Sequence, residues 1–510
     1  MDFSSDAILQ SFDLTGDLPA LSTGRSTRDG KGADDKSVSP VDGSTLARFK
    51  GADSEQVEFV IKQAKEAFEN WRLQPAPQRA EVILSLAKNI EERQEELAQL
   101  MTLEMGKPIR ESMGEVANAV ETFRYAAGLS RRIYGMEAPS VSKNVTLLER
   151  WHPMGPVLVI TAFNFPAALW AWNVSLAIVC GNSTIWKPAP QTPLFTMAMM
   201  RVVATTLASH EEVPDGVFSM ILGSNEEVAI PLVNSPDIPV VSATGSVPMG
   251  QKVGEAVGKR LGRTILELGG NSSALFTPSA DMEVSLRHTF FSATLNGGQR
   301  CTALRRLQVH EDRFDAVVER LKKAYKSWPV GNVFEQGHRL PPLVDDKAKQ
   351  MYDQKIAQLK EQGVEVFEPE LNLPTQGSYV QPALAILKKD DPQPQDETFG
   401  PLLYVQPYGD FKEAIRRNND VPQGLSSGIF GNDLGEVMAF TGPAGSDCGM
   451  VACNDNTGGL EVSMAFGGDK DSGGGREKGS DAWKSYMRRQ SVVLNTSGVV
   501  PPDAGIDFGE

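Results

Sequence analysis

The run NGGQRCTALRR, Asn296 to Arg306, sets one cysteine, Cys301, among glycines and arginines. As a thiolate it is a nucleophile, a form that Arg300, Arg305 and Arg306 would favour if they lie near the sulfur, and side-chain-free glycines would leave room beside it. Cysteine is also among the most buried residue types, and packs as a small hydrophobe. Glu267, in LELGG, ends an apolar strand-like run and precedes two glycines. From there a carboxylate can act as general base toward water, or it is simply solvated or salt-bridged. Asn164 follows another strand-like run, where its amide can donate to a developing oxyanion or shape a turn.

Together these groups describe one reaction. A thiolate adds to an aldehyde to give a thiohemiacetal, an amide steadies the oxyanion, hydride leaves to a nicotinamide, and a carboxylate activates water against the thioester. A nicotinamide needs a nucleotide site. SATGSVPMG places Gly245 and Gly250 between a strand-like and a helical stretch, where a phosphate can approach backbone N–H groups at a helix start. It is not G-x-G-x-x-G, and taken alone it reads more readily as a plain strand-to-helix turn; its place in a strand-helix series is what favours the phosphate.

The elements that position these residues read as alternating α/β. Val57, Val60, Ile61, Ala64, Ala67, Phe68 and Trp71 recur at helical spacing behind Asp53 or Ser54 as cap, and a second amphipathic stretch runs from Pro77 to Glu104. VLVITAF, a helix ending at Gly181 and STIWKPAP form a strand-helix-strand unit. VFSMIL, IPVVSAT and RTILELGG continue it, making Pro156 to Glu267 the cofactor-binding candidate. SSALFT, RLQVHE and SGIFG beyond Gly270 predict a second α/β layer. Gly24 to Gly43 reads as an exposed lead-in. Phe466 to Ser480, polar and glycine-rich, shapes a site entrance or forms a surface loop.

The chain of 510 residues, 41% hydrophobic and 23% charged, has room for two or three domains. Its net charge of −15 disfavours nucleic acid and anionic membrane as partners. Four cysteines are too few for a disulfide framework, which makes a reducing cytoplasm the default location. The C-x4-C pair Cys448 and Cys453 lacks companions for zinc, so no metal is expected. The acidic N-terminus is no signal peptide, and no apolar run reaches the roughly 20 residues of a membrane helix.

FNFP, WKPAP, SATGS, LELGG, GQRC and ETFGP stand in the order and rough spacing of the aldehyde dehydrogenase superfamily, and the chain resembles it over nearly its whole length. The resemblance implies an α/β fold with a Rossmann-like NAD-binding domain, residues 1–133 and 156–268, and an α/β catalytic domain, 269–480. A β-hairpin oligomerisation element, 134–155, with a C-terminal strand and tail, 481–510, implies a homodimer or homotetramer. It places the nucleophile on Cys301, the base on Glu267 and the oxyanion amide on Asn164. On the cofactor side it places Lys187 at the adenosine ribose, Gly245 and Ser246 at the pyrophosphate-side turn, Glu397 and Phe399 around the nicotinamide ribose, and Thr161 and Phe163 beside them.

GLSSGIF, GPAGSDCG, AFGGDKDSGGGREKGSDAWKSYMRR and the ending GIDF closely resemble the antiquitin group, whose members oxidise L-2-aminoadipate 6-semialdehyde in lysine breakdown. That likeness implies a carboxylate-binding role for Arg300, and a substrate tunnel walled by Phe165, Trp172 and Phe466. Two departures bear on substrate. GEVAN replaces the group's GEVQE, setting Asn118 where a glutamate contacts the substrate amine; Glu121, three residues on, could turn to nearly the same side of a helix. LNGGQRC replaces GTAGQRC, altering the volume before the nucleophile. The semialdehyde is thus the expected substrate, with a bulkier or aromatic aldehyde as alternative. Pro190 stands where many NAD-preferring relatives carry a glutamate that repels a 2′-phosphate, so NAD is expected and NADP possible. CoA-acylating relatives typically lack the glutamate present here as Glu267. A catalytically silent binding protein would have lost the catalytic set that this chain keeps.

Overall fold

Val157–Ile160 is an apolar strand without a polar face, a pattern that requires cover on both sides of a parallel sheet. In the computed structural model, which describes residues 4–459, 461–498, 505 and 509, it is the centre of an eight-stranded sheet. Five parallel strands run in the spatial order Phe218–Ile221, Thr184–Lys187, Val157–Ile160, Val240–Thr244 and Arg263–Glu267. The order reverses between Val157–Ile160 and Val240–Thr244, and a doubly wound sheet opens a crevice at that point, outside the carboxyl ends of its strands. Helix Pro166–Val179 is buried along its entire length, as a helix apolar on all sides must be.

Ser54–Trp71 is a helix with Asp53 as cap, closed by a reciprocal capping box with Gln56. The stretch expected as one helix from Pro77 to Glu104 is two, Ala76–Glu92 and Gln94–Met105, because Arg93 leaves helical geometry at φ −110°, ψ 17°. The lead-in over Gly24 to Gly43 is also corrected. Thr27–Asp29 joins the large sheet, and Asp34–Val38 pairs with Thr45–Lys50. Most side chains of that hairpin are exposed, which gives it the composition of a loop, while Ser37 and Ser39 are anchored inside by Glu104 and the Leu103 carbonyl.

A second sheet has seven strands in the order Glu365–Phe367, Ala383–Ile386, Leu402–Tyr408, Arg306–His310, Ser273–Phe276, Ser426–Phe430 and Met450–Cys453, parallel except for the first. Met136–Ala138, Val145–Pro153 and Met487–Asn495 form a third, antiparallel sheet. Residues 506–508 of the GIDF ending lie outside the described residues. The glycine-rich run folds back onto the first sheet, Gly473–Gly474 pairing with Leu266–Glu267. Among the described residues no helix is long and apolar enough to cross a membrane.

Candidate active site

The chain reaches Cys301 from helix Met282–Thr294 through a tight turn in which Asn296, Gly297 and Gly298 take φ of 51°, 61° and 73°. Asparagine and glycine are the residues that enter this left-handed region most readily. The glycines make room for backbone rather than for the sulfur. A Cβ on Gly298 would stand 2.3 Å from the Gly400 carbonyl oxygen, and one on Gly270, of LELGG, 2.4 Å from that of Cys301. That approach draws the end of strand Arg263–Glu267 and the Cys301 turn together.

Cys301 opens onto a cavity of about 250 Å³ that also receives Asn164, Phe165, Trp172, Arg300, Phe466 and Asn118. Trp172 and Phe466 pack with ring centroids 4.6 Å apart, and Phe165 completes that wall. Leu295, from the departing LNGGQRC segment, also lines the cavity. Asn164 donates from Nδ2 to the Gln299 carbonyl at 3.0 Å, which fixes the amide and leaves its second N–H. Asn118 accepts at Oδ1 from the Trp172 indole N–H at 2.9 Å. Glu121 is exposed and pairs with Arg124, outside the cavity.

The arginines divide differently from the sequence expectation. Arg300 alone of the three lines the cavity. Arg305 donates to the Gly400 and Arg300 carbonyls and pairs with Glu397 at 3.7 Å, while Arg306 donates to the Asn271, Arg417 and Asn418 carbonyls. The thiol is therefore not held as a thiolate. Burial pushes Cys301 up to about 12, helped by the Glu397 and Glu267 carboxylates and opposed by Arg300.

Glu267 is buried, and neither carboxylate oxygen has a partner of hydrogen-bond geometry. Burial, then repulsion from Glu477, raises it well above the ordinary carboxylate range, with Arg476 and the Gly468 N–H offsetting part of the rise. Such a carboxyl is suited to take up a proton. Glu477 escaped the sequence reading. It accepts from Thr244 Oγ1 at 2.6 Å and Asn173 Nδ2 at 3.2 Å, and burial raises it to about 7. Lys107 and Glu115 escaped too. Their fully buried pair, 2.5 Å apart, is locked further as Glu115 accepts from Ala167 and Ala168 N–H and Lys107 donates to the Asn164 carbonyl.

The cofactor candidates surround the crevice at the strand ends. Ser246 caps the 13-residue helix Val247–Lys259, so Gly245 and Ser246 present a helix N-terminus suited to phosphate. Lys187 is buried, lowered to about 8 by that burial, and its ammonium has no hydrogen bond or ion pair among the described residues. Glu397 Oε1 is buried without a hydrogen-bond partner. Phe163 and Phe399 meet edge to face at 5.8 Å, and Thr161 Oγ1 accepts from the Trp186 indole. An unpaired cation, a carboxylate oxygen without a hydrogen bond and a helix N-terminus match the ribose hydroxyls and pyrophosphate of a dinucleotide.

A family model described as the aldehyde dehydrogenase family matches residues 28–492. Aldehyde dehydrogenase family 7 member B4 of Arabidopsis thaliana is 39% identical over 472 residues, 92% of each chain. The alpha-aminoadipic semialdehyde dehydrogenase of Rattus norvegicus is 39% identical over 470 residues, 92% of this chain and 87% of its own. PnpE from Pseudomonas sp. WBC-3 superimposes with a TM-score of 0.89 at 30% identity, over 95% of this chain and 99% of its own, and a structure of PnpE in complex with nicotinamide adenine dinucleotide matches as well.

Proposed function

This chain belongs to the aldehyde dehydrogenase family, and we propose that it oxidises an aldehyde carrying a carboxylate, L-2-aminoadipate 6-semialdehyde, to the acid with NAD. The observation that carries the substrate is Arg300. Its guanidinium faces the Cys301 cavity, its Nε is buried without a hydrogen-bond partner, and no described residue forms an ion pair with it. A buried cation without a partner is costly until an anion arrives, and a guanidinium fits a carboxylate bidentately. Two relatives support the same substrate, one named for the semialdehyde and one placed in family 7. The cavity of about 250 Å³ is small for a ligand site, which favours a slender chain over an aromatic aldehyde.

In this mechanism Glu267 takes the Cys301 proton as the sulfur adds to the carbonyl. Asn164 and the Cys301 backbone N–H donate to the oxyanion, concentrating stabilisation where charge develops. Lys187, the Gly245–Ser246 turn and Glu397 would hold NAD, whose nicotinamide would supply the hydride acceptor. Once that first proton has passed to solvent, Glu267 takes another from the water that attacks the thioester, and returns it to the Cys301 sulfur as the acyl–sulfur bond breaks. No carboxylate stands at Pro190 to repel a 2′-phosphate, so NADP is a second cofactor in this reading. The exposed Val493 and Leu494 on the edge strand Met487–Asn495 support a homodimer or homotetramer joined through that sheet. Four free cysteines support a cytoplasmic enzyme.

The test compares initial NADH formation with the semialdehyde, hexanal and benzaldehyde. The semialdehyde is expected to lead, and Arg300→Met to raise its KM about tenfold or more, the worth of a charged hydrogen bond, with little change for hexanal. A lead for benzaldehyde, or an equal loss on all three in Arg300→Met, overturns the substrate assignment.

A further inference from the structure

The cavity wall carries five charged side chains, Lys107, Glu111, Glu115, Arg300 and Lys478, and they are satisfied unequally. Lys478 donates to the Glu461 and Met464 carbonyls. Lys107 and Glu115 saturate each other and the neighbouring backbone. Arg300 and Glu111 do not pair. No hydrogen bond or ion pair joins them, although Glu111 is near enough to act on the charge of Arg300. Each keeps a buried polar atom without a hydrogen-bond partner, Nε of Arg300 and Oε1 of Glu111. His338 Nδ1 stands 3.6 Å from that Oε1, beyond hydrogen-bond reach, and its Nε2 is engaged by Thr294 Oγ1.

Opposite charges held apart across one small cavity, each with an unmet valence, are complementary to a molecule that carries both charges on adjacent groups. We propose that Glu111 binds the α-ammonium of the substrate while Arg300 binds its α-carboxylate, so that the pair forms a receptor for an α-amino acid head group. This rests on the reading of Arg300 given above. The residues nearer to hand are excluded by their own contacts. Asn118, at the position where the antiquitin group has its glutamate, spends its carbonyl oxygen on Trp172, and Glu121 faces solvent with Arg124. Glu111 lies on the same helix, Ile109–Leu129, seven residues before Asn118. That separation is two turns, so both project from one face. The carboxylate lost at 118 is thus supplied from the same helix face, two turns nearer the N-terminus.

Three substrates of one chain length separate the contributions: L-2-aminoadipate 6-semialdehyde, 6-oxohexanoate, which lacks only the amine, and hexanal, which lacks both charges. In the wild type the first is expected to have a lower KM than the second, and the second than the third. Glu111→Gln is expected to raise KM for the amino substrate about tenfold or more while leaving that for 6-oxohexanoate unchanged or lower, with kcat for both within a few-fold. If Glu111→Gln does not fold, Glu111→Asp keeps the charge on a shorter arm and is expected to raise the same KM ratio by a smaller factor. An equal rise for both charged substrates, or an unchanged ratio, assigns Glu111 a structural role and overturns the proposal while Arg300 stands. A wild type that does not separate 6-oxohexanoate from hexanal overturns both.

Discussion

Cys301→Ala is expected to abolish NADH formation with every aldehyde tested, a loss on the order of 10⁴-fold or more in kcat. The expectation follows from placement. Cys301 stands with Asn164 and Arg300 on one cavity, and no other cysteine lines it. Cys180 is buried and raised to about 12 by that burial, beside the Trp483 carbonyl, while Cys453 ends, and Cys448 precedes, the edge strand Met450–Cys453 of the second sheet. NAD binding, followed by quenching of intrinsic fluorescence, is expected to stay within a few-fold, because Lys187, Ser246 and Glu397 are left in place. Retention of more than a hundredth of the activity would show that the sulfur is not the nucleophile. A wild type that binds NAD but turns over no aldehyde would instead favour a silent binding protein.

The features visible in the sequence share a local cause. VLVITAF and STIWKPAP are apolar runs bounded by proline or a polar turn, and each falls on a strand because the signal is complete within a few residues. Asp53 and Gln56 announce a helix start for the same reason. Chemistry was visible where type and neighbourhood coincide, as in a cysteine within a glycine-rich turn. Carboxylates gave no such sign. Glu477 meets partners 233 and 304 residues away, and one buried glutamate among 65 acidic residues looks like any solvated one. The same holds for Glu111, whose neighbours come from the turn at Arg300 and the loop at His338. Arg305 and Arg306 show the converse. Their sequence position beside Cys301 suggested a charged nest, yet both turn to backbone carbonyls, Arg306 from the start of strand Arg306–His310 and Arg305 from the residue before it.

Glu267→Gln is expected to lower kcat by about 10² to 10⁴ and to remove the acid limb of the pH profile. The sign follows from what the base must do. Glu267 accepts protons only when ionised, so wild-type activity rises with pH through the Glu267 pKa, which burial and Glu477 hold well above the ordinary carboxylate range. Glutamine does not titrate, so the limb goes with the charge. What activity is left should keep climbing with pH, because the Cys301 thiol, raised to about 12, must then ionise unaided. A second variant tests the cause of the raised value. Glu477→Gln removes a negative neighbour wherever Glu477 is ionised, above its own value of about 7. Glu267 then binds its proton less tightly, and the acid limb of kcat is expected to move to lower pH with the plateau nearly intact. An acid limb that survives Glu267→Gln unchanged would assign the titration to another group and remove Glu267 as the base. A shift to higher pH in Glu477→Gln would mean that Glu477 acts on Glu267 through position rather than charge.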